Sequence, residues 1–151
     1  MLTLVLLAAV PGPCSLLTAA EIQSVQKEQP ELAKESSRPA GDLVVGQCFY
    51  QLPTFAKSIS LELTSGPGVK AYWKKAFHEA HPDEKEEEAK ERPERLKGLG
   101  EEAFWTGSVR LGGLYVLAKG SILRLSIGGA DAKDTKLKKL RALARAALKR
   151  L

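Results

Sequence analysis

The alternation of apolar and polar residues along this chain predicts a set of short β-strands. Residues 58–64 (SISLELT) alternate strictly, so that Ile59, Leu61 and Leu63 point to the same side, which is typical of a strand with one buried face. Four further segments have the composition of strands: 46–52, 109–111, 114–117 and 122–127. The sequence therefore predicts about five strands.

Two glycine-containing pairs separate the last three predicted strands. Gly112-Gly113 and Lys119-Gly120 contain the residue types that tight hairpin turns with positive φ require. Strands joined by such turns pair with their neighbours in opposite directions. The predicted sheet is therefore antiparallel.

Three segments predict amphipathic helices. Thr18-Ala-Ala-Glu21 has the form of a capping box at the start of a helix. A second helix is expected after residue 65, with Pro67 in its first turn, and a third at 131–151. Apolar residues recur at helical spacing in the second helix (Val69, Tyr72, Trp73, Ala76, Phe77 and Ala80) and in the third (Leu137, Leu140, Ala144, Ala147, Leu148 and Leu151).

Two polar segments complete the predicted layout. Residues 29–41 contain two prolines and are expected to form a loop, and residues 83–97 (DEKEEEAKERPERLK) form a charged excursion that is helical or mobile. The element order is then α-β-β-α-β-β-β-α. This order predicts an α+β fold in which amphipathic helices cover an antiparallel sheet, within a single domain at 14–151.

The N-terminal segment bears on the compartment. The nine uncharged residues at 2–10, all apolar except Thr3, are too few for a membrane span, which needs about 20. They match the apolar core of a secretory signal, for which roughly 7–15 suffice. No basic residue precedes them, so residues 1–13 are interpreted as a signal-like or incomplete export segment. The alternative is a buried N-terminal strand.

The two cysteines agree with export. Cys14 and Cys48 are far apart and have no metal-binding spacing, and an even pair in an exported protein predicts a disulfide. Two independent buried thiols are the alternative.

Two groups of motifs carry a family resemblance. Cys14-Ser-Leu-Leu-Thr-x-x-Glu21 with Gly46-x-Cys48-x-Tyr50, and Gly98-Leu-Gly-Glu-Glu-Ala-Phe-Trp105 with a later lysine–glycine hairpin, resemble a group of exported bacterial domains of uncharacterised function, many of them lipoproteins. The resemblance implies a disulfide between the two cysteines. It also implies a fold like the compact sheet-and-helix domains related to PsbP and Mog1, and it implies no activity.

The positive charge is concentrated at the C-terminus. The chain carries a net charge of +5, and its last 21 residues contain eight basic and two acidic side chains. Binding to an anionic surface would depend on four of these basic residues: Lys138, Arg141, Arg145 and Lys149. Such a helix either binds an anionic surface, or it packs on the domain through its row of apolar residues, the seam, while its charged side chains stay in water. A nucleic-acid partner is not expected.

Candidate chemistry is sparse. His78 and His81 would share one face of a helix and are weak metal candidates, because Pro82 stands where the zinc-protease pattern needs histidine. No catalytic set and no cofactor site are predicted. Phe104 and Trp105 are adjacent in an extended segment, so at least one ring is expected to be partly exposed and available to a ligand.

The sequence therefore favours a non-enzymatic exported binding or interaction domain of the cell envelope, with a protein or small ligand as its partner. Two alternatives stay open. One is a metal-dependent enzyme that uses His78 and His81. The other is a peripheral adaptor that holds an anionic envelope surface through the basic C-terminal helix.

Overall fold

A computed structural model describes residues 12–79, 93–107 and 112–151 of the chain. The helices are α1 (Ala19–Gln26), α2 (Val69–Phe77) and α3 (Lys133–Leu148). The strands are β1 (Leu32–Ala40), β2 (Leu43–Gln51), β3 (Ile59–Ser65), β4 (Glu94–Leu96), β5 (Glu102–Thr106), β6 (Gly113–Ala118) and β7 (Ser121–Ile127). Short 3-10 helices form at Pro13–Leu16 and Phe55–Lys57.

The seven strands form one antiparallel sheet in the order β1-β2-β3-β7-β6-β5-β4. Two meanders, β1–β3 and β4–β7, join along β3 and β7, and α2 connects the first meander to the second. The predicted α+β class and the antiparallel sheet are confirmed. The predicted number of five strands is corrected to the seven that the structure describes. The predicted element order is corrected to α-β-β-β-α-β-β-β-β-α.

The segment 29–41 is the first of these corrections. We expected a loop, whereas Leu32–Ala40 pairs along its whole length with β2. All of its residues but the last are exposed, so the strand lacks the alternation that reveals a half-buried strand. Pro39 lies near its end, and proline is tolerated on an edge strand because one side of the strand needs no hydrogen bonds.

The second correction concerns the return from the charged excursion. Glu94–Leu96, within the predicted excursion 83–97, forms β4, whereas residues 80–92 lie outside the described residues. The aromatic segment Glu102–Thr106 forms β5 and pairs with β6. The strand predicted at 109–111 lies outside the described residues.

The sheet has a large apolar face, the first face, which packs against α1, α3 and the 3-10 helix Pro13–Leu16. Alternate residues of the strands, such as Leu61, Leu123 and Leu125, are almost completely buried there. α3 contributes Leu140, Leu143, Ala144 and Ala147 to this core. The predicted seam is confirmed for three of these residues, whereas Leu137, Leu148 and Leu151 are only half-buried and Leu143 was missed.

α2 covers part of the opposite, second face of the sheet. Val69 and Trp73 are buried against Phe104, Leu117 and Ile122. The predicted apolar stripe of α2 is narrower than expected, because Tyr72 and Ala76 are exposed, and Ala80 lies outside the described residues. The helix begins at Val69 with Gly68 as its N-cap, so that Pro67 precedes it instead of lying in its first turn.

Two local predictions are confirmed. The Thr18 hydroxyl accepts a hydrogen bond from the Glu21 amide, and the Glu21 carboxylate accepts one from the Thr18 amide, which completes the capping box of α1. Lys119 and Gly120 have φ angles of 50° and 73° and form the two-residue turn between β6 and β7.

The disulfide Cys14–Cys48 joins the 3-10 helix Pro13–Leu16 to the middle of β2, with the two Cα atoms 5.0 Å apart. The Tyr50 hydroxyl, whose pKa burial raises to about 12, donates to the Cys14 carbonyl at 2.9 Å. Pro13, at the end of the segment assigned to export, is buried on the domain, and residues 1–11 lie outside the described residues. Within the described ranges no helix is long and apolar enough to span a membrane.

We expect Leu140→Ala to lower the free energy of unfolding by about 2–5 kcal/mol, because it leaves a cavity in the core. The side chain is 1% exposed beneath α3. Lys138→Ala, two residues earlier on the exposed side of the helix, is the matched control and should change stability by less than about 0.5 kcal/mol. Urea unfolding measures both, and equal effects would show that the seam does not pack on the sheet.

Reduction of the disulfide should destabilise the fold by roughly 3–4 kcal/mol, since the bond closes a loop between residues 34 apart in sequence. Urea unfolding with and without reductant measures this difference. Intact mass after alkylation without reductant should show no modified thiol. An unfolding midpoint that does not move on reduction would contradict the expectation.

Candidate functional site

The two aromatic residues proposed as an interaction surface are both buried. Phe104 is 7% exposed and Trp105 is 8% exposed. Their side chains do point to opposite faces of β5, as expected of neighbours in a strand, but both faces are covered at this point. The expectation that one of the two rings is partly exposed is therefore wrong.

Phe104 belongs to an aromatic cluster beneath α2. Its ring stacks on Phe77 at 4.7 Å between centroids and lies 5.9 Å from the ring of Trp73. This cluster fixes α2 on the second face, and Phe104 contributes to the core.

His78, the described member of the weak metal pair, is held at the end of α2. Its Nε2 lies 2.5 Å from Oε1 of Glu102, and the Trp73 indole donates to the same oxygen at 2.6 Å. Arg95 lies 3.5 Å from the other oxygen. Glu102 therefore attaches the end of α2 to β5 and β4. Among the described residues no three His, Cys, Asp or Glu side chains group as metal ligands, and His81 lies outside them.

The charge state of Glu102 follows from these contacts. Partial burial opposes ionisation of the carboxyl, but the hydrogen bonds from Trp73 and His78 and the charges of His78 and Arg95 outweigh it and hold the pKa of Glu102 below its ordinary value. The ionised carboxylate is thus the form that the folded protein favours.

The basic residues of α3 and of the two positions after it divide into two groups. Lys138, Arg145 and Lys149 are exposed, whereas the Arg141 guanidinium donates to the Lys97 carbonyl at 2.9 Å. Arg150 forms a salt bridge with Glu21 and donates to the Leu16 carbonyl at 3.1 Å. Some of the basic residues that suggested binding to an anionic surface therefore stabilise the fold instead.

A cleft of about 630 Å³ lies at one end of the sheet. It is bounded by the segment around the 3-10 helix Phe55–Lys57, by the start of α3 and by the strand ends at Gly107 and Gly112. Its walls combine an aromatic pair (Phe49 and Phe55), cations (Arg124, Lys133 and Lys136), one carboxylate (Asp131), hydroxyls (Ser58, Ser60 and Ser126) and the apolar Trp105, Ile127 and Leu140. We call this the end cleft. Clefts of roughly 300–1,000 Å³ are typical of small-molecule sites.

The aromatic pair forms the outer wall of the end cleft. The rings of Phe49 and Phe55 lie 5.9 Å apart at 50° to each other, and Phe55 is 67% exposed. An exposed phenylalanine at a cleft mouth offers apolar contact area to a ligand that enters.

The end cleft continues onto the open part of the second face as a polar row. Register places Gln47 opposite Glu62, Glu62 opposite Arg124, and Arg124 opposite Tyr115. Arg124 Nε donates to the Tyr115 hydroxyl at 2.9 Å, and Arg124 Nη1 lies 3.8 Å from Glu62 Oε2. The guanidinium is therefore oriented by its neighbours at the border between this row and the end cleft.

Sequence reasoning missed this site. The alternation in 58–64 did assign Ser60 and Glu62 to the polar side of a strand, and the same alternation holds for Arg124 and Ser126. The alternation did not reveal that β3 pairs with β7. This pairing places Ser60 opposite Ser126 and Glu62 opposite Arg124. Two polar strand faces far apart in sequence become one surface only through that pairing.

Comparisons with protein families, with characterised proteins and with solved structures found no significant match to this chain.

We expect Glu102→Gln to destabilise the protein by about 1–2 kcal/mol at pH 7, because hydrogen bonds to a charged acceptor are stronger than those to a neutral one. The folded pKa lies below the ordinary value of 4.5, so the contribution of this carboxylate is complete above that value and is lost as the pH falls through the folded pKa. The difference from wild type should therefore shrink between pH 7 and pH 3.

Urea unfolding at both pH values measures the effect. Glu101→Gln is the matched control, because Glu101 is the exposed neighbour of Glu102 and should show little difference at either pH. An effect of Glu102→Gln that stays constant from pH 7 to pH 3 would show that the ionised Glu102 carboxylate does not supply this stability.

Proposed function

We propose that this protein is a non-enzymatic exported binding domain of the bacterial cell envelope, of the kind suggested by its resemblance to exported domains, and that it retains a small ligand in the end cleft. The observation that carries this proposal is the end cleft itself, which combines an exposed aromatic wall with the oriented Arg124 guanidinium, lysines and hydroxyls. Ligand sites are typically partly apolar concavities into which a small number of polar groups point.

The disulfide supports the exported part of the proposal. Such bonds persist in oxidising compartments and are rare where thiols are kept reduced. Cys14–Cys48 lies within the fold, next to the buried Tyr50, so it contributes to the stability of the domain.

The contacts of His78 favour a structural role for that residue over a metal ligand. Its Nε2 already bonds to Glu102, whose carboxylate also accepts from Trp73. Metal binding through Nε2 would break this attachment between α2 and the sheet.

Ligand retention tests the proposal directly. The protein is incubated with an extract of bacterial envelopes, separated by size exclusion, and the retained molecules are identified by mass spectrometry. We expect retention by wild type and its loss in Ser126→Trp, because the indole would fill the end cleft beside Ser60.

The matched control is Ser37→Trp, which introduces the same side chain on the exposed β1, away from the end cleft. It should retain what wild type retains. No retained molecule in wild type, or equal retention by Ser126→Trp, would contradict the proposal. Loss only in a Lys138, Arg145 and Lys149 triple alanine variant would favour the adaptor hypothesis instead.

A further inference from the structure

A second row of side chains runs beside the polar row on the second face. Register places Lys34, Phe49, Ser60 and Ser126 side by side on β1, β2, β3 and β7. Each lies two positions along its strand from Ser36 or from a member of the polar row, and side chains two positions apart point to the same face. Two parallel rows therefore cross four neighbouring strands.

These rows line a cavity that continues the end cleft. This second cavity, of about 270 Å³, shares Phe49, Ser60 and Arg124 with the end cleft and extends to Lys34 and Ser36 on the edge strand β1. We call the two cavities together the face groove. Neighbouring strands are about 4.8 Å apart, so the course of the groove from β1 to β7 is about 14 Å long. The face groove is therefore elongated, as a site for a chain-like ligand requires.

The spacing of the polar groups selects the kind of chain. Groups on adjacent strands repeat at the strand spacing, whereas an extended peptide repeats about every 3.3 Å and would fall out of step with them. One ring of a β-1,4-linked sugar chain is close to the strand spacing in length. A linear glycan that crosses the strands can therefore place one ring over each of them.

The functional groups of the face groove suit sugar rings. The hydroxyls of Ser60 and Ser126 and the amide of Gln47 can both donate and accept hydrogen bonds, as the hydroxyls of a sugar require. Phe55 is 67% exposed beside Phe49. An exposed aromatic ring offers a large apolar area, on which the C–H side of a sugar ring packs.

The charges in the two cavities favour an acidic chain. Lys34 lines the second cavity and Lys136 lines the end cleft, and neither forms an ion pair within the part of the chain that the structure describes. Lys136 acts on Asp131 only at longer range. The other charges nearby are balanced by a partner of opposite sign: Arg124 by Glu62, Lys133 by Glu94, and Asp131 by Lys139. Each cavity therefore keeps one uncompensated positive charge.

We propose that the ligand is a short, linear, acidic glycan that lies along the face groove. Its rings follow one another across the strands, with one ring against Phe55 and with acidic groups that face Lys34 and Lys136. The ligand class rests on the proposed function, because the end cleft that retains the ligand holds one end of this glycan.

The probe is the β-1,4-linked hexasaccharide of mannuronate, titrated into the protein by isothermal titration calorimetry at low ionic strength. We expect saturable binding. The β-1,4-linked hexasaccharide of mannose has the same rings with a neutral CH₂OH group in place of each carboxylate, and it should bind about tenfold more weakly. Hexaglutamate carries the same number of side-chain carboxylates on a chain with the peptide repeat. It should also bind about tenfold more weakly, because its groups do not follow the strand spacing.

Phe55→Ala and Tyr72→Ala form a matched pair of variants. Both remove an exposed aromatic ring, but of the two only Phe55 lines the face groove. Phe55→Ala should weaken binding of the mannuronate hexasaccharide about fivefold, and Tyr72→Ala should leave it unchanged. Unchanged thermal melting of both variants would show that they are folded.

Lys34→Ala tests the length of the site. Lys34 lines the second cavity and lies outside the end cleft, so it contributes only if the ligand extends along the face. Its loss should weaken binding of the mannuronate hexasaccharide about threefold to tenfold. Lys138→Ala is the control, because Lys138 is exposed on α3 and lines neither cavity, and it should leave the affinity unchanged.

No binding of the mannuronate hexasaccharide, or equal affinity for the mannose hexasaccharide or hexaglutamate, would overturn the inference. Equal effects within either pair of variants would overturn it as well. If envelope molecules are retained in a manner that Ser126→Trp abolishes while the mannuronate hexasaccharide does not bind, the ligand class is wrong and the proposed function stands. If Ser126→Trp retains every molecule, the proposed function fails.

Discussion

The antiparallel pairing of β3 with β7 is the constraint on which the rest of the structure depends. It joins two meanders that are far apart in sequence and sets Leu61 opposite Leu125 and Leu63 opposite Leu123 on the first face. Because side chains alternate along a strand, a shift of one residue would turn every one of these leucines toward the other face. The same register sets Glu62 opposite Arg124 on the second face. One pairing therefore determines both the core and the polar row that leads to the end cleft.

The unequal cover of the two faces explains where the end cleft lies. α1 and α3 pack side by side on the first face. Among the described residues, the helix on the second face is the short α2, with Trp73 and Phe77 as its anchors. The polar row occupies part of what α2 leaves uncovered, and the end cleft lies where this part meets the end of the sheet. Covering that part would remove the remaining exposure of Arg124 and Glu62, which are already partly buried, and taking charges fully out of water is costly.

α3 connects regions that the sheet alone would leave separate. Arg150, just after the end of the helix, contacts Glu21 and the Leu16 carbonyl near the disulfide, and Lys139 within the helix donates to the buried Gln26 at 2.9 Å. Its first turns carry Lys133 and Lys136 into the wall of the end cleft. The helix thus has a structural role along its seam and at its C-terminal end, while its N-terminal end contributes to the candidate site.

The sequence by itself determined the features that rest on local physics. The capping box at Thr18, the turn at Lys119-Gly120 and the alternation in β3 depend on neighbours within a few residues, and all three are present in the structure. The tertiary structure decided the rest. β1 and β4 are edge strands held by main-chain hydrogen bonds to a neighbour, which leave little trace in side-chain pattern. Trp105 is buried because α3 covers its face, and the end cleft brings residues from Phe49 to Leu140 together. Contacts between such distant residues follow from strand register and helix packing, which no local pattern encodes.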